Sequence, residues 1–229
     1  MSWRAALIDS CGVWPGACEA ASFASVGGAV EPRAPFPDPT GHGSRLAQLL
    51  STRGTELMLA QVFPSAAPSS AAAVAAAITW ALKRGANLIH MSLGLAVDRP
   101  VLRAAVAQAL AGGAIVVAST PARGPSVYPA AYAGVIRGTG DARCAPGELS
   151  CLGAAHFGSC PRFAPGTYPA DDAMPRRGGA SAGAAWVSRA LLEMAAIATA
   201  DQAVSALRAR CRFFGPERVG MEARPAVSR

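Results

Sequence analysis

The sequence predicts a three-layer α/β fold, a mostly parallel twisted sheet with helices on both faces. Three observations predict it. Apolar runs of strand length alternate with longer helical runs. Helix–strand units repeat in a row between residues 43 and 119, and the strands that close them, 87–92 and 114–119, read as buried on both faces. A chain of 229 residues, 52% hydrophobic and 15% charged, is too apolar to be disordered and can bury one core. We therefore expect a single domain over 1–229, with 213–229 a loosely attached tail.

The elements follow in chain order. Arg4 to Ile8 is the first strand, Gly43 to Ser51 a helix, and Glu56 to Val62 a strand. Ser69 to Arg84 is a helix whose two leading serines offer capping oxygens, and Gly85 ends it. Asn87 to Ser92 is a buried strand; Pro100 to Ala111 is a helix stopped by Gly112 and Gly113; Ala114 to Ser119 is another buried strand. From Pro121 to Gly178 the chain is rich in Gly, Pro and Cys, so loops and edge strands are expected, with strands at Gly134 to Gly138 and Glu148 to Leu152. A long helix from Ser181 to about Thr199 and a shorter one from Asp201 to Cys211 complete the order.

Charge and cysteines narrow the function classes. Lys and Arg number 21 against 14 Asp and Glu, a net +7. The arginines are scattered, with mild clusters at Arg176 and Arg177 and from Arg208 to Arg229, and no aromatics interleave with them as base-stacking platforms would. A solvated basic surface is the better reading than a nucleic-acid interface. The N-terminus has no secretory signal pattern, and the most apolar run, Ala71 to Leu82, is shorter than the roughly 20 residues that span a bilayer. No membrane partner and a cytoplasmic location are expected. The six cysteines form no CxxC pair, and their spacings match no zinc knuckle, so buried thiols are expected and no metal or cofactor.

Asp9, His42 and Ser181 are the residues placed for chemistry. Asp9 ends an apolar strand, ALIDS, where functional side chains of parallel sheets gather. His42 opens GHGSRLAQLL at a helix N-terminus, and Ser181 follows glycines that let the backbone approach closely. A serine hydroxyl needs an imidazole to take its proton, and the imidazole needs a carboxylate to hold its tautomer and charge. The flanking sequences give these three residues their weight, because any chain of this size contains an Asp, a His and a Ser.

These segments resemble the subtilisin-like serine peptidases, whose triad runs in the order Asp, His, Ser. ALIDS is similar to that family's aspartate strand, GHGSRLA to its histidine motif, and GGASAGAAWVS to its serine motif. AITWALKRGANLIHMSLG resembles the helix and strand leading to its substrate edge, here Ser92, Leu93 and Gly94. GGAIVVASTPARG, YPAAYAGVIRGTG and the FAPG at 163–166 resemble the next strand and pocket loop, with Ala118 and Ser119 against the substrate, a Tyr-Pro-Ala segment, and the approach to the serine loop. The resemblance runs in unbroken order over residues 4–199.

Departures mark where this chain differs. Cys11 intervenes between the aspartate motif's hydroxyl residue and Gly12. Ala180 stands for Thr, Gly183 for Ala, and Ala185 and Trp186 for Pro and His in the serine motif. Ala122 takes the place of the asparagine that donates to the oxyanion in the family, which leaves the Ser181 backbone N–H with the hydroxyl of Thr120 or Ser119 as substitutes. His90 and His156 lie in none of the three triad motifs and read as structural.

The resemblance implies a serine endopeptidase. Asp9 lies eight residues after the first, leaving no room for a propeptide, and an uninhibited cytosolic protease must be narrow in specificity. The chain resembles the small subtilisin-like maturation proteases of bacterial peptide-modification pathways, in particular that of quinohemoprotein amine dehydrogenase biogenesis. The polypeptide partner this implies is a leader-bearing precursor such as that enzyme's small cysteine-crosslinked subunit. The competing expectations are a catalytically silent module that holds a peptide in the same groove, and a basic nucleic-acid binder, whose binding would depend steeply on salt.

Overall fold

A computed structural model describes residues 2–26, 29–65, 69–163, 178–195 and 197–216, with backbone alone at 25, 26 and 29. The segment from Ala164 to Arg177, most of FAPG included, and the tail after Pro216 lie outside the described residues.

Ten strands form one sheet among the described residues. They are β1 (Trp3–Asp9), β2 (Glu19–Val26), β3 (Ala29–Arg33), β4 (Thr55–Gln61), β5 (Leu88–Met91), β6 (Ile115–Ser119), β7 (Ile136–Gly140), β8 (Leu149–Gly153), β9 (His156–Ser159) and β10 (Cys211–Phe214). The helices are α1 (His42–Leu50), α2 (Ala71–Lys83), α3 (Pro100–Ala111), α4 (Gly179–Leu192) and α5 (Ala200–Ala209). The spatial order is β10-β8-β9-β7-β6-β5-β1-β4-β2-β3, parallel from β9 to β2 and antiparallel only at β8/β9 and β2/β3. This is the expected α/β architecture.

Alternation along the strands sorts the core into two layers. Trp3, Ala5 and Leu7 of β1 face α1, α4 and α5, while Ala6 and Ile8 face α2 and α3. The chain runs outward from β1 in both directions, to β4 on one side and to β5 on the other. Such a reversal opens a crevice at the strands' C-terminal ends, where ligands of open α/β sheets bind. Asp9 sits on that rim.

Local signals account for most helix ends. The Ser70 side chain accepts from the Ala73 N–H at 3.1 Å and starts α2. Gly85 and Gly113, at φ 77° and 81°, close α2 and α3 in the left-handed conformation that a side chain would strain. α4 stops at Leu192, short of the expected Thr199, where the Trp3 indole N–H takes the Met194 carbonyl at 3.0 Å. Thr199 then caps α5 by accepting from the Gln202 N–H. Four of these strands, β2, β3, β9 and β10, have no counterpart among the elements the sequence predicts. Among the described residues no helix is long and apolar enough to cross a membrane.

Candidate active site

The site is assembled at the rim from the end of β1 and the start of α1. Asp9 is 2% exposed, and its Oδ1 accepts the Ser10 N–H at 2.8 Å and the Ser10 hydroxyl at 3.1 Å. The same oxygen lies 2.8 Å from His42 Nδ1. Ser10 also accepts the Gly43 N–H at 2.9 Å, which ties the first turn of α1 to the strand end. Gly43 is required there, since a Cβ would lie 2.3 Å from the Cys11 backbone nitrogen. Cys11 is fully buried and forms the surface on which the start of α1 rests.

A carboxylate outside the expected triad secures this helix. Asp38 accepts from the backbone N–H groups of Thr40, Gly41 and Ser44 at 3.0, 2.9 and 2.7 Å, and from the Ser44 hydroxyl at 2.8 Å. Gly41, the formal N-cap, has no side chain to offer, so Asp38 fulfils that role from three residues upstream. Burial works to raise its pKa, but these donors win and hold it below the usual carboxylate value.

His42 is half-buried. Burial alone would lower its pKa, yet the hydrogen bond and charge of Asp9, reinforced by the charge of Asp38, hold it above the ordinary 6.5. Its ring meets Phe163 edge-on at 6.0 Å between centroids. Phe163 in turn packs on Gly178, where an added Cβ would lie 2.6 Å from its ring, and so links the histidine to the start of α4.

Ser181 lies in the first turn of α4. Its Oγ donates weakly to the Ser92 carbonyl at 3.5 Å, and among the described residues no hydrogen bond joins it to His42. Its backbone N–H, expected to face an oxyanion, donates to the Gly178 carbonyl at 3.1 Å. The helix is drawn onto β7, because a Cβ at Gly183 would lie 2.0 Å from the Thr139 carbonyl oxygen. That contact leaves no room for a side chain at position 183.

The remaining expected site residues fall around the same rim. Ser92, Leu93 and Gly94 leave β5 unpaired before Leu95 bridges Tyr128, with N–H···O distances of 2.8 and 2.9 Å. Beside them a cavity of about 380 Å³ is lined by Phe63, Val74, Leu93, Leu95 and Val97. Ser119 follows Ile115 and Val117 at even spacing and so shares their face, toward α4. Thr120 is the next residue, with its N–H on the Gly138 carbonyl, and Ala122 is exposed. Ala118, expected against the substrate, is 0% exposed, and its side chain belongs to the α2/α3 core.

His90, read as structural, lies directly under this rim, its Nε2 2.8 Å from Ser92 Oγ. Its place two residues before Ser92 is the signal in the sequence, since alternate strand residues share a face. The six cysteines are all free thiols, and burial pushes Cys11 and Cys144 up to about 11 and Cys211 up to about 12, so those three stay protonated. Among the described residues no group of three or more His, Cys, Asp or Glu side chains is placed to hold a metal ion.

No family model and no curated protein matches the chain. Among solved structures, the chain is similar to a prenylagaramide maturation protease at 16% identity and a TM-score of 0.47, over 61% of this chain and 53% of that one. It is also similar to a lanthipeptide protease at 20% identity and a TM-score of 0.49, over 61% of this chain and 48% of that one. The chain thus spans about half the length of these two solved proteins.

Proposed function

We propose that the chain is a subtilisin-like serine endopeptidase of narrow specificity that acts in the cytoplasm and removes a leader peptide from a modified precursor. The observation that carries this reading is the 2.8 Å pairing of a buried carboxylate with an imidazole at the sheet's topological switch, beside the helix start that bears Ser181.

In the proposed reaction Ser181 Oγ leaves the Ser92 carbonyl, passes its proton to His42 Nε2 and attacks the scissile carbonyl. Such hydrogen bonds are commonly long in empty sites and tighten when substrate binds. His42 then returns the proton to the leaving amine, and water repeats the sequence to release the acyl group. Asp9 holds Nδ1–H and offsets the imidazolium charge. The oxyanion donors are the Ser181 N–H, shared with Gly178, and the Ser119 hydroxyl on the α4 face; Thr120 is the alternative donor. An extended substrate adds to Ser92–Gly94 as a strand, and the cavity at Leu93 takes an apolar side chain. The substrate proposed is the leader-bearing small subunit of quinohemoprotein amine dehydrogenase.

Purified protein incubated with that precursor should yield one cleavage by mass spectrometry and leave casein intact; broad casein digestion would reject narrow specificity. Ser181→Ala should abolish cleavage and retain binding, and turnover in that variant would refute the assigned nucleophile.

A second reading is a silent peptide-holding module, favoured by the unformed Ser181–His42 hydrogen bond and by Ala122. A fluorophosphonate probe separates the two, because only an activated serine is labelled.

A further inference from the structure

The proposed reaction leaves unused a histidine that lies beneath it. His90 is wholly buried on β5, level with Leu7 of β1. Both its ring nitrogens have partners: Nδ1 lies 2.9 Å from Ser188 Oγ and Nε2 lies 2.8 Å from Ser92 Oγ. Burial pushes its pKa down to about 4, which keeps the ring neutral at neutral pH. A neutral imidazole has one donor and one acceptor, so the two contacts must run in a common direction.

The far end of the chain decides that direction. Ser92 Oγ lies 3.3 Å from the Ser181 carbonyl oxygen, which can only accept, so Ser92 commits its single proton there. Its oxygen is left to accept from His90 Nε2–H. Nδ1 then carries no proton and accepts from the Ser188 hydroxyl. One tautomer and one polarity satisfy every member, running from Ser188 through His90 and Ser92 to the backbone of Ser181.

Ser181 and Ser188 are seven residues apart on α4 and share one face of it. Two points held on one helix face fix both its rotation and its position along its axis. A leucine at 90 would fill the space in this apolar layer but leave the Ser188 hydroxyl without its acceptor and the Ser92 oxygen without its donor.

We propose that His90, as its Nε2–H tautomer, is a positioning residue that sets the height and rotation of α4 and thereby the reach of Ser181. The proposal rests on Ser181 being the nucleophile, and its test separates the two. Wild type, His90→Leu, His90→Gln and Ser92→Ala are treated with an alkyl fluorophosphonate, and saturation kinetics give kinact and KI separately. The wild type should be labelled, and in His90→Leu and Ser92→Ala kinact should fall roughly 10- to 100-fold with KI nearly unchanged, the size expected for a reacting group displaced by about an ångström. His90→Gln, whose amide can donate to Ser92, should recover most of that rate. A purely structural role would lower the melting temperature and leave kinact of the folded fraction unchanged, which overturns the proposal. Nitrogen-15 spectra of the wild-type rings should show His90 protonated at Nε2; protonation at Nδ1 overturns it even if no variant folds. An unlabelled wild type brings down the nucleophile reading and this proposal with it, whereas a labelled wild type with fully active, folded His90→Leu brings down this proposal alone.

Discussion

Replacing Asp9 by Asn preserves the volume of a nearly inaccessible side chain and removes its charge. Oδ1 accepts two donors from Ser10 at 2.8 and 3.1 Å and lies 2.8 Å from His42 Nδ1, so the amide oxygen would be held in that same position. The histidine tautomer is then kept, and the loss is confined to the electrostatics of the imidazolium formed during proton transfer. Unit charges about 4 Å apart at an effective dielectric of about 20 interact by about 4 kcal/mol. The His42 side chain is 35% exposed, which screens part of this and leaves about 2–4 kcal/mol. At 1.36 kcal/mol per tenfold, labelling by a fluorophosphonate should slow by roughly 30- to 1,000-fold. The pH dependence gives a second, signed readout. In the wild type His42 titrates above its ordinary 6.5, so reactivity should rise through an acid limb above that pH. Without the Asp9 charge burial prevails, the pKa falls, and the limb should move to lower pH. Second-order labelling constants measured across pH for both proteins test this. An unchanged rate, or an acid limb moved upward, would refute the pairing as the source of reactivity.

Three further outcomes follow from the same geometry. Asp38→Ala removes the cap of α1 and should destabilise the fold by about 1–2 kcal/mol, read by urea denaturation; because the Asp38 pKa is depressed in the folded chain, the deficit should be full above its unfolded value of 3.8 and vanish as pH falls through the folded value. Gly183→Ala brings a Cβ to 2.0 Å from the Thr139 oxygen, so α4 must shift, at about 1–3 kcal/mol or more of stability; an unchanged melting temperature with full labelling would show that the close approach to β7 is not required. Ser119→Ala should slow peptide turnover roughly 10²–10³-fold if its hydroxyl meets the oxyanion, while Thr120→Val should not; the reverse pattern would transfer the role to Thr120.

The α/β architecture was legible because β1, β5 and β6 are short apolar runs set between helices with plain stop signals. Caps and glycines such as Ser70, Gly85 and Gly113 act within a few residues of the bonds they form, so local sequence specifies them. The strands β2 (EAASFASV) and β10 (CRFF) were not legible, since their small or mixed residues give no clear period and only their neighbours' open edges make them strands. The end of α4 was misjudged because a distant indole, that of Trp3, takes the Met194 carbonyl just past the helix end.

For the site, sequence alone named Asp9, His42 and Ser181 through the short motifs around them, and it determined which residue types could cooperate. Only the tertiary structure decided that Asp9 and His42 meet at 2.8 Å, that Asp38 caps the helix His42 opens, that Ala118 is sealed in the core, and that His90 joins Ser92 to Ser188. A motif is encoded within a few consecutive residues, whereas a hydrogen bond between residues 98 positions apart, such as that between Ser188 and His90, exists only once the sheet and α4 have packed.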